Sequence, residues 1–148
     1  MFYGTYHHRL NSKNQVTVPS RLRDAVDEQK EGKGLFVAQL DPNCLYLFTP
    51  RGVQEMVDRA KAKWASGQQD FLRIFTSKIV PVECDGQGRI VIPAPMKDAA
   101  GIAADVVFVG AHRHVELWNP ERWEEYQKTH QSEYGKKQDL MVGEVFGL

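Results

Sequence analysis

Two stretches of this 148-residue chain say nearly the same thing half a chain apart. Residues 11–19 read Asn-Ser-Lys-Asn-Gln-Val-Thr-Val-Pro, and residues 85–93 read Asp-Gly-Gln-Gly-Arg-Ile-Val-Ile-Pro. Each places a polar turn before a short run of β-formers, then a proline suited to opening a helix. A repeat on this scale predicts a duplicated supersecondary unit whose copies are too small to bury a stable core alone. The halves are therefore expected to share one core. A doubled β-rich unit with a basic loop and no catalytic constellation points to symmetric binding of a symmetric or repeated partner.

The intervening sequence follows the same order twice. Residues 2–10 include the β-prone Tyr3, Thr5 and Tyr6. Residues 15–18 are expected to return as their partner strand, with Val16 and Val18 on one face. Pro19 then starts a short helix. Residues 35–38 and 44–48 flank Asp41-Pro42-Asn43, a turn signal, and so predict a hairpin. Thr49-Pro50 reads as a helix cap and first-turn proline, with Val53, Met56, Val57 and Ala60 at helical spacing behind it. In the second half, residues 90–92, 106–109 and 115–118 and the Asn119-Pro120 cap take the matching places, opening a helix over 121–131. Between the halves, residues 69–77 are predicted helical, with Phe71, Leu72, Ile74 and Phe75 packing inward.

Charge narrows the function. Nineteen Lys/Arg balance nineteen Asp/Glu, which argues against a uniformly basic nucleic-acid binder. The balance is uneven along the chain: residues 1–74 hold eleven cations against eight acids, and residues 75–148 hold the reverse. Arg9, Lys13, Arg21 and Arg23 all precede or border the first acid, Asp24, making a local positive face. Cys44 and Cys84 lack metal or redox spacing, so no cofactor or metal is expected. No leader-like segment opens the chain, and no apolar run approaches the ~18 residues of a membrane span. The expectation is a cytoplasmic protein with no membrane partner and no small-molecule substrate.

The chemistry concentrates in the two turns. Asp85 and Arg89 flank a Gly-Gln-Gly tip, so a tight turn brings carboxylate and guanidinium together as a charge-assisted pair. Held this way, the loop presents Gln87 and Arg89 to a phosphate or a base edge. A plain surface ion pair stabilising a hairpin is the bland alternative. The first turn has Asn11 and Gln15 at the same places, a neutral couple predicted to hydrogen-bond to each other. Its tip gains Lys13 and keeps Asn14, which tolerates left-handed backbone. Asn and Gln can read adenine, and Arg and Lys bind phosphate or guanine. Arg9, Lys13, Asn14, Gln15 and Arg21 are therefore the candidate DNA contacts of the first copy, joined by Gln87 and Arg89 of the second. Asn11/Gln15 and Asp85/Arg89 are the loop-fixing pairs.

These residues carry a family resemblance. Met1-Phe2-x-Gly4, Leu10-Asn11-Ser12-Lys13, Val18-Pro19, Asp85-x-Gln87-Gly88-Arg89, Ala100-Gly101, Val109-Gly110 and Glu116-Leu117-Trp118-x-Pro120-Glu121-Arg122-Trp123 stand in an order that resembles the MraZ proteins. That family is a doubled member of the AbrB-like superfamily of bacterial DNA-binding regulators, and the resemblance spans nearly the whole chain. It implies an α+β fold, a β-rich swapped-hairpin barrel of two tandem repeats with flanking helices. The expected divisions are repeat one over 5–52, a helical connection over 53–79, repeat two over 80–123, and a C-terminal helix and tail over 124–148. It further implies a nucleoid-associated regulator that binds short direct repeats upstream of the division and cell-wall genes, usually repressing them and its own gene. Ring-shaped homo-oligomers are implied too. The family signature Asp-x-x-x-Arg maps intact onto Asp85/Arg89 and altered onto Asn11/Gln15. Tyr3 and Asn14 also depart from the family's usual Arg and Gly.

Other residues invite rival readings. His112 and His114 stand two apart but lack a third ligand, and His7 and His8 more plausibly augment the basic first strand. Trp118, Trp123 and Tyr126 have spacing suited to core packing or a subunit interface. No nucleophile elbow, phosphate loop or metal-ligand helix supports an enzyme. The stronger rival is an AbrB-like antitoxin or protein-interaction module, although a second repeat occupies the place of a toxin-wrapping tail.

Overall fold

The computed structural model describes residues 1–63 and 69–147. Thus residues 64–68 of the expected connection, and residue 148 of the expected tail, lie outside the described residues. The elements are β1 (Thr5–Arg9), β2 (Gln15–Thr17), α1 (Ser20–Asp24), α2 (Glu28–Glu31), β3 (Leu35–Ala38), β4 (Leu45–Phe48), α3 (Pro50–Lys63), α4 (Gln69–Ser77), β5 (Ile79–Val82), β6 (Arg89–Val91), α5 (Ala94–Ala99), β7 (Asp105–Gly110), β8 (Val115–Trp118) and α6 (Pro120–Leu140). A π-helical turn, Met141–Val145, extends α6. The class is α+β, as expected.

Strand pairing runs between the halves. One antiparallel sheet has the order β1-β7-β8-β4-β3-β5, and β2 pairs with β6 in a separate two-stranded ribbon. The expected pairing of β1 with β2 does not occur. β1 lies on β7, with Thr5 opposite Val109 and Arg9 opposite Asp105, while β2 lies on β6. The reason is that alternation specifies which face a strand buries, not which strand it meets. Nor does the large sheet close into a barrel: β1 and β5 stand at its two ends.

The register repeats under exchange of the halves. Val16 faces Ile90, its own counterpart, while Gln15 faces Val91 and Thr17 faces Arg89. Likewise Tyr46 faces Glu116, with Leu45 opposite Leu117 and Leu47 opposite Val115. These matched rows draw both halves into one core containing Val16, Val18, Leu22, Val37, Leu45, Ile90, Ile92, Met96, Val106, Phe108 and Leu117. Strand β7 buries both faces. Its Val106 and Phe108 join that core, and Val107 and Val109 pack on the far side with Cys44 and Trp118.

The helices show where sequence periodicity misleads. Asn119 caps α6 by accepting from the Arg122 amide, and Pro120 fits the first turn, where its missing N–H costs nothing. The helix runs well past 131 because no breaker stops it except Gly135, which a long helix tolerates. Its far end and the following turn leave Tyr134, Leu140, Met141, Val145 and Phe146 exposed. Helix α4 has the predicted bounds, but of its four apolar residues only Leu72 and Phe75 are half-buried, and Phe71 and Ile74 are exposed. Ile74 is 60% exposed and Phe71 40%, stacked on Phe75 at 5.7 Å. Helical spacing marks a helix as amphipathic but does not say which surface receives its apolar face.

Candidate nucleic-acid interface

Both turns are built on one hydrogen-bond plan. In the second, Asp85 Oδ1 accepts from the amides of Gln87 and Arg89, each at 2.9 Å, and Oδ2 accepts from Arg89 Nε at 2.9 Å. In the first, Asn11 Oδ1 accepts from the amides of Lys13 and Gln15 at 2.9 and 3.0 Å. Asn11 Nδ2 then donates to Gln15 Oε1 at 2.9 Å. The predicted neutral couple therefore forms in the place of the charged pair, with the direction of the side-chain bond reversed. The fourth residue of each turn has positive φ, 59° at Asn14 and 78° at Gly88. Short polar Asn and Cβ-free Gly are the residues that accept that backbone at least cost.

The turns are tied crosswise. The Val18 amide donates to the Gly88 carbonyl at 2.8 Å, and the Ile92 amide donates to the Asn14 carbonyl at 3.0 Å. Each turn thus terminates the other half's strand, and neither can shift alone. With Val16 and Ile90 buried beneath, the outer face of the ribbon carries Gln15, Thr17, Arg89 and Val91. Val91 is 49% exposed, and Lys13 and Gln87 stand exposed at the two tips.

The remaining candidates do not all gather there. Arg21 is exposed on α1, just beyond the ribbon, and forms no ion pair among the described residues. Lys13 likewise has none. Arg9 belongs to the other sheet, where its Nε lies 3.2 Å from Asp105 Oδ1 in an exposed pair. Such a pair contributes little to stability, but it shares the charge expected at the turn. His8 does not augment the basic strand: its ring packs edge-on to Phe108, and burial lowers its pKa. Asp85 is held below the ordinary carboxylate range, chiefly by the Arg89 amide, with the Arg89 side chain and the Gln87 amide adding to it.

Thr17 and Val91 were not singled out from sequence, and Arg23 was counted there only as part of the positive face. Thr17 and Val91 face outward because they alternate with the buried Val16, Val18, Ile90 and Ile92. Arg23 braces the second turn: its Nε donates to the Val18 carbonyl at 2.9 Å, and its guanidinium lies where a Gly88 Cβ would be, 2.5 Å away. Its place one turn into the helix after Pro19 was the available signal.

Elsewhere, His114 Nε2 lies 3.0 Å from Glu116 Oε2, and Trp118 Nε1 donates to Glu116 Oε1 at 3.0 Å. Among the described residues no group of three His, Cys, Asp or Glu side chains could hold a metal. Trp118 is buried and packs on Trp123 and Tyr126 at 5.0 and 4.9 Å, so these rings serve packing. Among the described residues no helix is long and apolar enough to cross a membrane.

Comparison with known proteins places the chain in a family. The family model described as "MraZ protein, putative antitoxin-like" matches residues 75–143. The transcriptional regulator MraZ of Saccharopolyspora erythraea is 34% identical over 99% of this chain and 100% of its own length. The chain belongs to the MraZ family. Further members so named match as well: that of Clostridium beijerinckii at 36% identity over 87% of this chain and 89% of its own. That of Micrococcus luteus is 30% identical over 99% and 100%.

Proposed function

We propose that this MraZ-family chain is a transcriptional regulator that binds duplex DNA through the β2–β6 ribbon and its two turns. The carrying observation is the ribbon's outer face, Gln15, Thr17, Arg89 and Val91 between the tips bearing Lys13 and Gln87. A two-stranded ribbon fits the major groove, where Gln reads adenine, Arg reads guanine and a methyl-bearing side chain meets thymine. Lys13 and Arg21 then contact phosphates and set register. The cross-half pairing supports a swapped-hairpin arrangement presenting two near-equivalent turns to a repeated site.

The family's implied role supplies the targets: short direct repeats upstream of the division and cell-wall genes and of its own gene, with repression as the usual outcome. It acts in the cytoplasm on nucleoid DNA. One ribbon per subunit binds weakly, so a ring of copies supplies multivalency. The exposed apolar residues of α4 and of the end of α6 favour such self-association over an antitoxin role, and light scattering distinguishes the two. A closed oligomer is expected; a monomer that captures a small toxin stoichiometrically, with no DNA preference, would reverse the choice. For DNA itself, Lys13→Glu combined with Arg21→Glu should weaken a gel shift with the upstream duplex by at least ~10-fold, through lost phosphate contacts. Unchanged retention would remove this face from consideration.

A further inference from the structure

The two halves differ beneath the second turn, where the structure is hollow. A cavity of about 250 Å³ lies against Val18, Leu22, Leu35, Leu47 and Val115, with Arg23, Glu28, Cys84 and Asp85 around its mouth. The other half provides an internal control. The residue before its turn is Leu10 in place of Cys84, and Leu10 is 9% exposed. The amide that returns to the Lys97 carbonyl, the counterpart of Arg23, is that of Ile102, buried at 2%; the amide that returns to the Arg23 carbonyl is that of the half-buried Val26, and the exposed Glu28 follows it. Leu10 and Ile102 fill one half, while Cys84 and the smaller Val26 leave the other open, with Glu28 at its edge. Packed interiors do not keep such voids without a cost.

The mouth carries two charges without partners. Arg23 uses only Nε, on the Val18 carbonyl, and among the described residues neither Arg23 nor Glu28 forms an ion pair. Asp85 contributes no free charge, since Arg89 and two amides occupy its oxygens. We propose that this cavity binds a small apolar α-amino acid. Its side chain lies on the aliphatic floor, its carboxylate on the outer nitrogens of Arg23, and its ammonium on Glu28. A simple carboxylate would leave Glu28 as a like charge, and a simple amine would meet Arg23; the zwitterion satisfies both. The volume matches about eight water-sized groups, the scale of a leucine rather than a nucleotide. The site stands apart from the DNA reading and does not require it.

The test is a two-dimensional amide NMR titration of the full chain, without DNA, using L-leucine, isocaproate and isoamylamine as probes. Saturable shifts at Gly32, Gly34 and Gly88 are expected with leucine. Either single-charge analogue should bind at least ~10-fold more weakly, the loss of one charge-assisted contact. Cys84→Leu with Glu28→Ile, which puts apolar side chains at the mouth and removes its carboxylate, should abolish the shifts while the remaining spectrum stays dispersed. Should that double variant not fold, Glu28→Gln serves, with leucine falling to the level of isocaproate. Non-saturating shifts, equal response to all three probes, or leucine binding undiminished by either variant would overturn the proposal.

Discussion

The turn at Asn11–Gln15 and the turn at Asp85–Arg89 share one hydrogen-bond layout, but the first closes it with a neutral couple and the second with an ion pair. In both, one side-chain oxygen caps two amides, the partner side chain closes the ring, and the fourth residue takes a left-handed backbone. The second does this with a carboxylate and a guanidinium, the first with two amides. Shape and charge are therefore separable here. The fold needs an acceptor at the first position and a small or Asn residue at the fourth. What is left free for a partner is the identity of the fifth side chain and the cation at the tip.

The largest effect should come from making the turns alike. Asp85→Asn with Arg89→Gln keeps the plan of the first turn, so the melting temperature should barely move. Duplex affinity should fall by about 1–3 kcal/mol if Arg89 reads a base. Anisotropy titration checks the second and calorimetry the first; a large drop in melting temperature would show the charge to be structural. The reciprocal change, Asn11→Asp with Gln15→Arg, should raise affinity by a smaller amount, because Lys13 already stands at that tip.

Next in size is the fourth position. Gly88→Ala should cost at least about 1–2 kcal/mol for its left-handed backbone, and its Cβ must also displace Arg23, 2.5 Å away. Asn14→Gly, at the equivalent place, should change urea stability by only a few tenths of a kcal/mol. Equal costs at the two sites would contradict the role given to Arg23.

The smallest effect is a dependence on pH. Asp85 has a folded-state pKa below its ordinary 3.8, so its contribution is complete above that value. It is lost as pH falls through the lower folded value. Unfolding of the Asp85→Asn/Arg89→Gln variant should accordingly be less sensitive to acid below pH ~4 than unfolding of the parent. Parallel curves would mean that the pair stores no linkage.

How much was legible in the sequence follows from range. The turns, the proline-led helices, the β3–β4 and β7–β8 hairpins and the bounds of α4 are written in local chemistry, and all are present. Partner choice was not: nothing near residues 15–18 says that the mate is Arg89–Val91 rather than Thr5–Arg9. Thr17 and Val91 became site residues only through that distant pairing. Arg9 is the converse case, since its place beside Lys13 in sequence concealed Asp105 across the sheet. The apolar face of α4 was read as core because periodicity reports amphipathicity, not the surface that receives it.

The central claim is that both turns and the ribbon between them form one DNA-reading surface. Hydrogen exchange of the full chain, with and without the upstream duplex, tests it most directly. The account predicts slowed exchange at residues 11–17 and 85–91 together, with α4 and α6 unchanged by DNA. Protection confined to the helices, with both turns exchanging as in the free protein, would contradict it.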